Sequence, residues 1–322
     1  MIKDINDFLE SKELAKLARP LTKSTMAVKH HSETKWNKDN NPLPCIVMEK
    51  KDGINCILLN VNHDYKCFTR EGKRMKNMEL LERYYSNKKF CDLLNTMVNC
   101  EVCNDHFSLE ELGAVIKSSR KKALSIDEDL KHLGTYLVAF DKVTLDEFIK
   151  GTSNEPFHKR ILSLVKLSAI GLRLPRTEYC YSEDIVDHFF TNITDNGGEG
   201  IVRVLPTSPW VAGYKNHFKT KKVRGVDYDL EVIGIEEGKG KRQGMVANLM
   251  LRWRAYGDVS NPVECICVDG RFTDDLRVNW FTYPEEIIGQ VVHVHALQVG
   301  SKGGLRLAKV HEIRMDKTNP DL

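Results

Sequence analysis

Residues 47–56 read VMEKKDGINC, and the path of the chain through them decides its fold. An apolar approach, Cys45-Ile46-Val47-Met48, ends at two adjacent lysines, Lys50 and Lys51, and a second apolar run, Ile57-Leu58-Leu59, follows Asp52-Gly53. Adjacent lysines are poor strand residues and Asp-Gly favours a turn, so the segment reads as two strands joined by a charged turn. Taken alone, such a turn is a solvated hairpin end.

Short strands surround it. CIVMEK, INCILLN and KCFTRE carry β-branched or aromatic residues between Gly and Asn punctuation. Before them, residues 1–20 read as helical pieces: Ile5, Phe8 and Leu9 form one stripe, Ser11 caps the next piece with Leu14 and Leu17, and Pro20 stops it. Residues 21–42 form a polar loop ending NNPLP. Residues 76–95 are helical, MVNCEVCND is a strand, SLEELGAVIKSSRKKA is a helix and TYLVAFDKV is a buried strand. From 144 to 190 the pattern is mainly helical, and the stripe Phe157, Ile161, Leu164, Val165, Ser168 is core.

Strands return after 198 as EGIVRVL, HFKTKKV, YDLEVIGIEE, MVANLMLRWR, VECICVDG, QVVHVHALQV and LRLAKVHEIRM. The last five, broken by Gly turns and a short helical DDLRVNW, predict a small barrel of about five strands. KKVRGV, residues 221–226, is the expected hinge in front of it.

Composition agrees with two soluble domains. The chain has 322 residues, 41% hydrophobic and 29% charged, which excludes disordered and fibrous classes. With 48 basic against 45 acidic residues the net charge of +3 indicates no partner, but local runs do. Lys73-Arg74, Arg120-Lys121-Lys122, Lys219 through Lys222 and Lys239 through Arg242 could each meet phosphates. No apolar stretch is long enough to span a membrane, and MIKDINDFLE lacks the pattern of a secretory signal. The nine cysteines therefore read as free thiols of a cytoplasmic protein. Cys100-x-x-Cys103 is spaced like half a zinc site, yet Cys265-x-Cys267 is wrongly spaced to complete it. His293 and His295 share a strand face without an evident third ligand, and EGKGKRQG, residues 237–244, lacks the helix-opening pattern of a phosphate loop.

The chemistry centres on Lys50. A lysine held at a strand end among other cations can shed its proton and become a nucleophile. Attack on the α-phosphorus of a nucleoside triphosphate would give a lysyl-nucleotide and pyrophosphate. Asp52 can orient a cation or sugar, and Gly53 lets the backbone turn. A lone K-x-D-G is a weak signal. It is followed, however, by Phe68-Thr69-Arg70, Glu101, Phe140-Asp141, Glu199-Gly200-Ile201-Val202, Lys219-Thr220-Lys221 and Arg314-Met315-Asp316-Lys317. Each is a polar or aromatic group in or beside an apolar strand, as a nucleotide pocket between sheets requires.

From about residue 40 onward, this order resembles the covalent nucleotidyltransferase superfamily, and within it the small ATP-dependent DNA ligases of bacteriophages and large viruses. LPCIVMEKKDGI, EGIV, YDLEVIGIEEGKGKRQGMVANLML and the closing EEIIGQVVHVHALQV…LRLAKVHEIRMDK carry the resemblance. It implies an α+β chain: residues 1–40 as an N-terminal extension, 41–222 as a nucleotidyltransferase (adenylation) domain of ATP-grasp-like antiparallel sheets with helices, and 223–322 as an OB-fold β-barrel. Residues 1–40 match nothing in the family and are either a nick-contacting extension or a cover for the first domain.

The resemblance also implies roles. Lys50 carries AMP, and Lys219 and Lys221 hold the α-phosphate. Arg70 meets the 5′-phosphate of the nick or its adenylate, Phe140 stacks on adenine, and Glu49 and Asp52 belong to the nucleotide-binding set. Glu101 and Glu199 place ribose and Mg2+, for which Mn2+ can substitute. Arg314, Asp316 and Lys317 orient the pyrophosphate leaving group. The expected substrates are ATP and nicked duplex DNA, gripped through Asn55, Lys239, Lys241 and Arg242, and the expected state is a monomer in the cytoplasm, that of the bacterial host if the chain is phage-encoded.

Two positions depart from the pattern. Asn55 stands where the family has arginine in K-x-D-G-x-R, which leaves nicks containing RNA open. Lys219, Lys221 and Lys222 compete for the second lysine motif, and strand parity selects the first two. An mRNA capping guanylyltransferase shares the lysine motif, but EGIV differs from its aspartate-led counterpart. A non-catalytic nucleic-acid-binding relative is disfavoured by the intact Lys50, Glu101 and Glu199.

Overall fold

The computed structural model describes residues 2–17, 43–88, 94–165, 171–212, 219–254, 262–267, 272–300 and 303–321. The chain divides into two units, Met1–Val223 and Arg224–Leu322.

The first unit contains strands β1 (Cys45–Lys50), β2 (Ile54–Val61), β3 (Asp64–Thr69), β4 (Thr96–Asn104), β5 (Thr135–Thr144), β6 (Thr152–Ser153), β7 (Thr177–Cys180), β8 (Gly200–Val204), β9 (Trp210–Val211) and β10 (Lys219–Val223). They form two four-stranded antiparallel sheets, ordered β10-β8-β1-β7 and β3-β2-β4-β5, and a small β6-β9 pair. β1 and β2 therefore do not pair. The expected hairpin turn is instead the crossing at which the chain leaves one sheet for the other, and Lys50 to Gly53 make it.

β2 is buried on both faces, which explains its near-continuous apolar run. Cys56 and Leu58 face a core with Tyr85, Leu112, Val115 and Leu164. Ile57 and Leu59 face the opposite way, onto Ile5, Phe8 and Leu9 of the helix Ile5–Glu10. That helix is thus a built-in cover of the second sheet. Ser11 ends it as C-cap, contrary to the expected start of another helix there, and residues 14–17 are not helical.

Two further expectations are corrected. The helix at SLEELGAVI stops at Ile116, and another covers Ile126–His132. Within the 144–190 stretch, β7 intervenes as an edge strand of the first sheet, and Val165 of the proposed core stripe is exposed. Ser168 lies outside the described residues.

In the first sheet, alternation sorts the residues. Cys45, Val47, Cys180 and Ile201 pack under the helix Glu183–Asp195, while Ile46, Met48 and Val204 face Phe140 and Phe157. Lys50 shares the parity of Ile46 and Met48, and Lys219 and Lys221 pair with Val204 and Val202. All three lysines therefore project from the inner face.

The second unit holds β11 (Val226–Glu237), β12 (Val246–Arg254), β13 (Pro262–Cys267), β14 (Val291–Ala296), β15 (Gln298–Val299), β16 (Leu305–Arg306) and β17 (Lys309–Ile313). Five of them form an antiparallel sheet ordered β13-β12-β11-β14-β17 around Leu230, Val232, Leu249, Leu251, Val292 and Val310, with Trp280 of the helix Asp274–Thr282 against them. Among the described residues β13 and β17 are not paired, so the sheet is open where a closed barrel was expected.

Candidate active site

Lys50 is the last residue of β1, and its Nζ lies 2.5 Å from Oε2 of Glu199. The register places Lys50 opposite Gly200, whose φ is +149°. A Cβ at Gly200 would sit 2.2 Å from the carbonyl oxygen of Lys222, so only glycine lets β10 close on β8 here. Gly53 is constrained too: a Cβ there would lie 2.5 Å from Glu101 Cγ and from Val102 O. The two glycines of the motifs thus allow three strands to converge on Lys50. Lys51 turns to Glu49, with Nζ 2.5 Å from Oε1. Glu49 has the parity of Val47 and not of Lys50, which takes its side chain off the inner face.

Glu101 stands on β4, paired with Asn55 of β2. Burial pushes its carboxyl up to about 7, against the opposing charges of Lys50 and Arg70, while Glu199 and Asp52 add repulsion. Burial likewise raises Glu199, opposed by Lys50 and Lys221. Lys50, Asp52, Arg70, Glu101, Glu199 and Lys221 consequently share one electrostatic cluster. Crowded carboxylates with raised pKa values suit a hard divalent cation. Among the described residues no three His, Cys, Asp or Glu side chains are arranged as a metal cage. Mg2+ takes one or two carboxylates and fills its shell with water and phosphate, and Glu101 and Glu199 are the carboxylates that could hold it.

The bulge in the β4–β5 pairing comes at Phe140: Asn99 faces Asp141 and Cys100 faces Ala139, leaving Phe140 as the extra residue. Bulges re-aim side chains, and Phe140 packs against the inner face of the first sheet. Its neighbour Asp141 is buried. It accepts from Arg160 Nε at 2.8 Å and Nη2 at 3.2 Å, and from Lys219 Nζ at 3.0 Å. Lys219 Nζ also lies 5.1 Å from the Phe157 ring centroid. Lys222 turns outward to Asp187 at 2.8 Å and over Phe190. Arg160 escaped sequence reading, since nothing in FHKRILSL marks it as a partner of Asp141. Asn55 donates to Asn99 Oδ1 at 3.3 Å and Cys100 O at 3.4 Å and brings no charge.

Two of the basic runs have structural roles. Arg74 binds the buried Glu82, and Arg120 binds Glu128 and the carbonyls of Ala114, Lys122 and Ala123. Lys239, Lys241 and Arg242 are exposed on the loop from β11 to β12.

In the second unit, Arg314 grips Asp316 through Nε and Nη2, both at 2.9 Å, and reaches Asp229 with Nη1 at 2.7 Å. Arg314 holds the Asp316 carboxyl down at about 2. Lys317 Nζ meets Asp229 at 2.9 Å and Asp321 at 2.8 Å. His293 and His295 are engaged by Asp229 and Asp227, with Nδ1 to carboxylate distances of 3.0 and 2.9 Å.

The first unit thus sets a strand-end lysine among carboxylates, with two inner-face lysines and a bulged aromatic on two antiparallel sheets, and a second unit with a five-stranded antiparallel sheet follows it. The chain is similar in sequence to DNA ligases, and its fold is similar to that of solved DNA ligase structures. It is 31% identical over 173 residues to a DNA ligase of Pyrobaculum arsenaticum, covering 49% of this chain and 28% of that protein. The solved structure named Pmar-Lig_PreS3 matches with a TM-score of 0.74 at 18% identity, over 96% of this chain and 71% of that one. The ATP-dependent DNA ligase from bacteriophage T7, in complex with ATP, matches with a TM-score of 0.53 at 13% identity, over 92% of this chain and 100% of that one. The chain spans less than a third of the length of the curated relatives it matches. No family model matches.

Proposed function

We propose that the chain is an ATP-dependent DNA ligase that seals 5′-phosphate/3′-hydroxyl nicks in duplex DNA through a lysyl-AMP intermediate. The observation that carries this reading is the contact of Lys50 Nζ with Glu199, 2.5 Å apart, inside the cluster of Asp52, Arg70 and Glu101. In the first step Lys50 Nζ bonds the α-phosphorus of ATP, the bond to the β-phosphate oxygen breaks, and pyrophosphate leaves. Glu199, within hydrogen-bond reach and raised by burial, takes the proton of Nζ. Lys219 and Lys221 stabilise charge on the α-phosphate, and Phe140 stacks on adenine. Glu101 and Glu199 would hold Mg2+, or Mn2+ in its place, and the ion would supply charge neutralisation to the phosphates. Arg314, Asp316 and Lys317 orient the departing pyrophosphate.

AMP then passes to the 5′-phosphate of the nick, met by Arg70, and the 3′-hydroxyl displaces it. Asn55 in the first unit and Lys239, Lys241 and Arg242 in the second are the DNA-binding residues of this reading, the three cations meeting phosphates, so nick affinity falls steeply with salt. The protein acts as a monomer in the cytoplasm, in a reaction that belongs to DNA replication and repair. No described helix is long and apolar enough to cross a membrane.

The test is incubation with a divalent cation and α-labelled ATP or GTP beside a Lys50→Ala variant. Acid-stable label from ATP that disappears in the variant is expected. Label from GTP alone would move the reading to capping, and no label from a protein whose mass shows it free of AMP would remove it. Nicks with ribose on either side, run in parallel, measure what Asn55 changes.

A further inference from the structure

β3 is an edge strand of the second sheet, and the chain folds back over that edge. Thr69 N–H donates to Lys73 O at 2.8 Å, Gly72 N–H donates to Thr69 O at 2.8 Å, and Arg74 bridges Phe68 in antiparallel register. Gly72 takes a φ of +76°, which the reversal requires. The Thr69 hydroxyl accepts from the N–H groups of Glu71 and Lys73 at 3.3 and 3.2 Å and braces the turn from inside. Arg70 is the first residue of this turn, and its charge reaches the buried Glu101.

The outer side of the turn is held by residues from the start of the chain. Asp4 bridges Lys73 in antiparallel register, Ile5 N–H donates to Gly72 O at 3.0 Å, and Arg74 N–H donates to Lys3 O at 2.8 Å. The helix Ile5–Glu10 then anchors this strap. Its Phe8 ring lies 5.9 Å from that of Phe68, and beyond it Lys12 Nζ meets Asp64, the first residue of β3, at 2.8 Å. A helix that only covered the sheet would need no more than its apolar face. Here both backbone hydrogen bonds fall on Gly72 and Arg74, the segment that closes the turn of Arg70.

We propose that the strap Lys3 to Ile5 is a positioning element for Arg70, fixing the turn that carries it so that its guanidinium meets the 5′-phosphate of the nick. The assignment rests on the ligase reading, in which Arg70 has that role. An unpaired sheet edge frays, and a turn at its end frays with it. Pairing residues 72–74 on both sides, with Phe68 inside and residues 3–5 outside, removes that freedom. Displacing a phosphate-binding group by about 1 Å can cost roughly 100-fold in rate. The nick phosphate takes no part in the attack of Lys50 on ATP. The strap therefore acts on the passage of AMP to DNA, whereas a purely structural cover would affect both steps alike.

Ile5→Pro in the full chain is the probe. Ile5 is the first helical residue and Asp4 before it is extended, with φ −147° and ψ −178°, so proline fits the helix start and removes only the N–H given to Gly72. Ile5→Val is the control, because valine has as many side-chain carbons as proline and keeps the N–H. Each protein is assayed for label uptake from α-labelled ATP and, after removal of ATP, for passing that label to the 5′-phosphate of nicked duplex DNA. Ile5→Pro should take label within about threefold of wild type, which also certifies the fold, and pass it on roughly tenfold more slowly. Ile5→Val should match wild type in both. If Ile5→Pro does not fold, Phe8→Leu, which thins the anchor on Phe68, decides by the same comparison. Equal loss in both steps, no loss in the second, or a valine variant as slow as the proline one overturns the assignment alone. A wild-type protein that takes no label removes the ligase reading, and this assignment with it.

Discussion

Replacing Asp141 by asparagine isolates the electrostatics of the buried wall behind Lys219. The amide is nearly isosteric, so the cost lies in charge: Arg160 and Lys219, with side chains 2% and 5% exposed, lose their shared counter-ion. Removing one partner of a buried pair costs roughly 3–5 kcal/mol. For a unit of this size each kcal/mol moves the transition by about 2–4 °C, so the first unit should melt roughly 6–20 °C lower. Calorimetry of the full chain at pH 7 separates this transition from that of the second unit. The effect has a defined pH window. Burial raises the Asp141 carboxyl, but the charges of Lys219 and Arg160 outweigh it and hold it below the usual carboxylate range. A depressed folded value means the stabilisation is present above the unfolded pKa of about 3.9 and is lost as pH falls through the folded value. Wild type and variant should therefore differ by a constant amount from pH 8 to 5 and converge in acid. The triple change Asp141→Leu, Arg160→Met, Lys219→Met removes every charge and should cost less than Asp141→Asn alone. A shift under about 2 °C for the single variant, or a gap that does not narrow as pH falls below the unfolded pKa of about 3.9, would refute the reasoning.

Three further outcomes are expected. In EDTA, Glu101→Gln should stabilise the protein at pH 8 by something on the order of 2–3 kcal/mol and have no such effect at pH 5. The sign follows from a folded pKa of about 7 raised by burial: the wild type loses stability as pH rises from its ordinary value through the folded one, which a pH series of melts would reveal. Gly200→Ala must part β8 from β10 and should cost at least about 1–3 kcal/mol in urea unfolding, an alanine tolerated without loss contradicting the close approach. Lys222→Ala should leave label transfer within about threefold and stability within about 0.5 kcal/mol, while Lys221→Ala slows transfer at least about tenfold. The reverse ranking would place the wrong lysine at the phosphate.

Much of the candidate site's geometry was readable because its signals are local. Lys50 ends an apolar strand, glycine follows it at Gly53, and parity on a five-residue strand separates Lys219 and Lys221 from Lys222. Other local signals went unread: Ser108-x-x-Glu111 and Ser125-x-x-Glu128 are capping boxes, and the second marks the helix Ile126–His132 that sequence reading passed over. The hairpin reading of KKDG failed for a different reason. Two apolar runs around a turn look the same whether the strands pair or part, and only the partners of β1, namely β7 and β8, distinguish the cases.

Residue types and their alternation by themselves determined that the chain has sheet-bearing domains, which lysine ends a buried strand, and which side chains share its face. Tertiary structure decided what those side chains meet. Asp141 finds Arg160 and Lys219 across 19 and 78 positions, and Asp229 finds Arg314 across 85. A carboxylate's chemistry depends on the charges within a few ångströms, and long-range packing brings those together without leaving a periodic trace in the sequence.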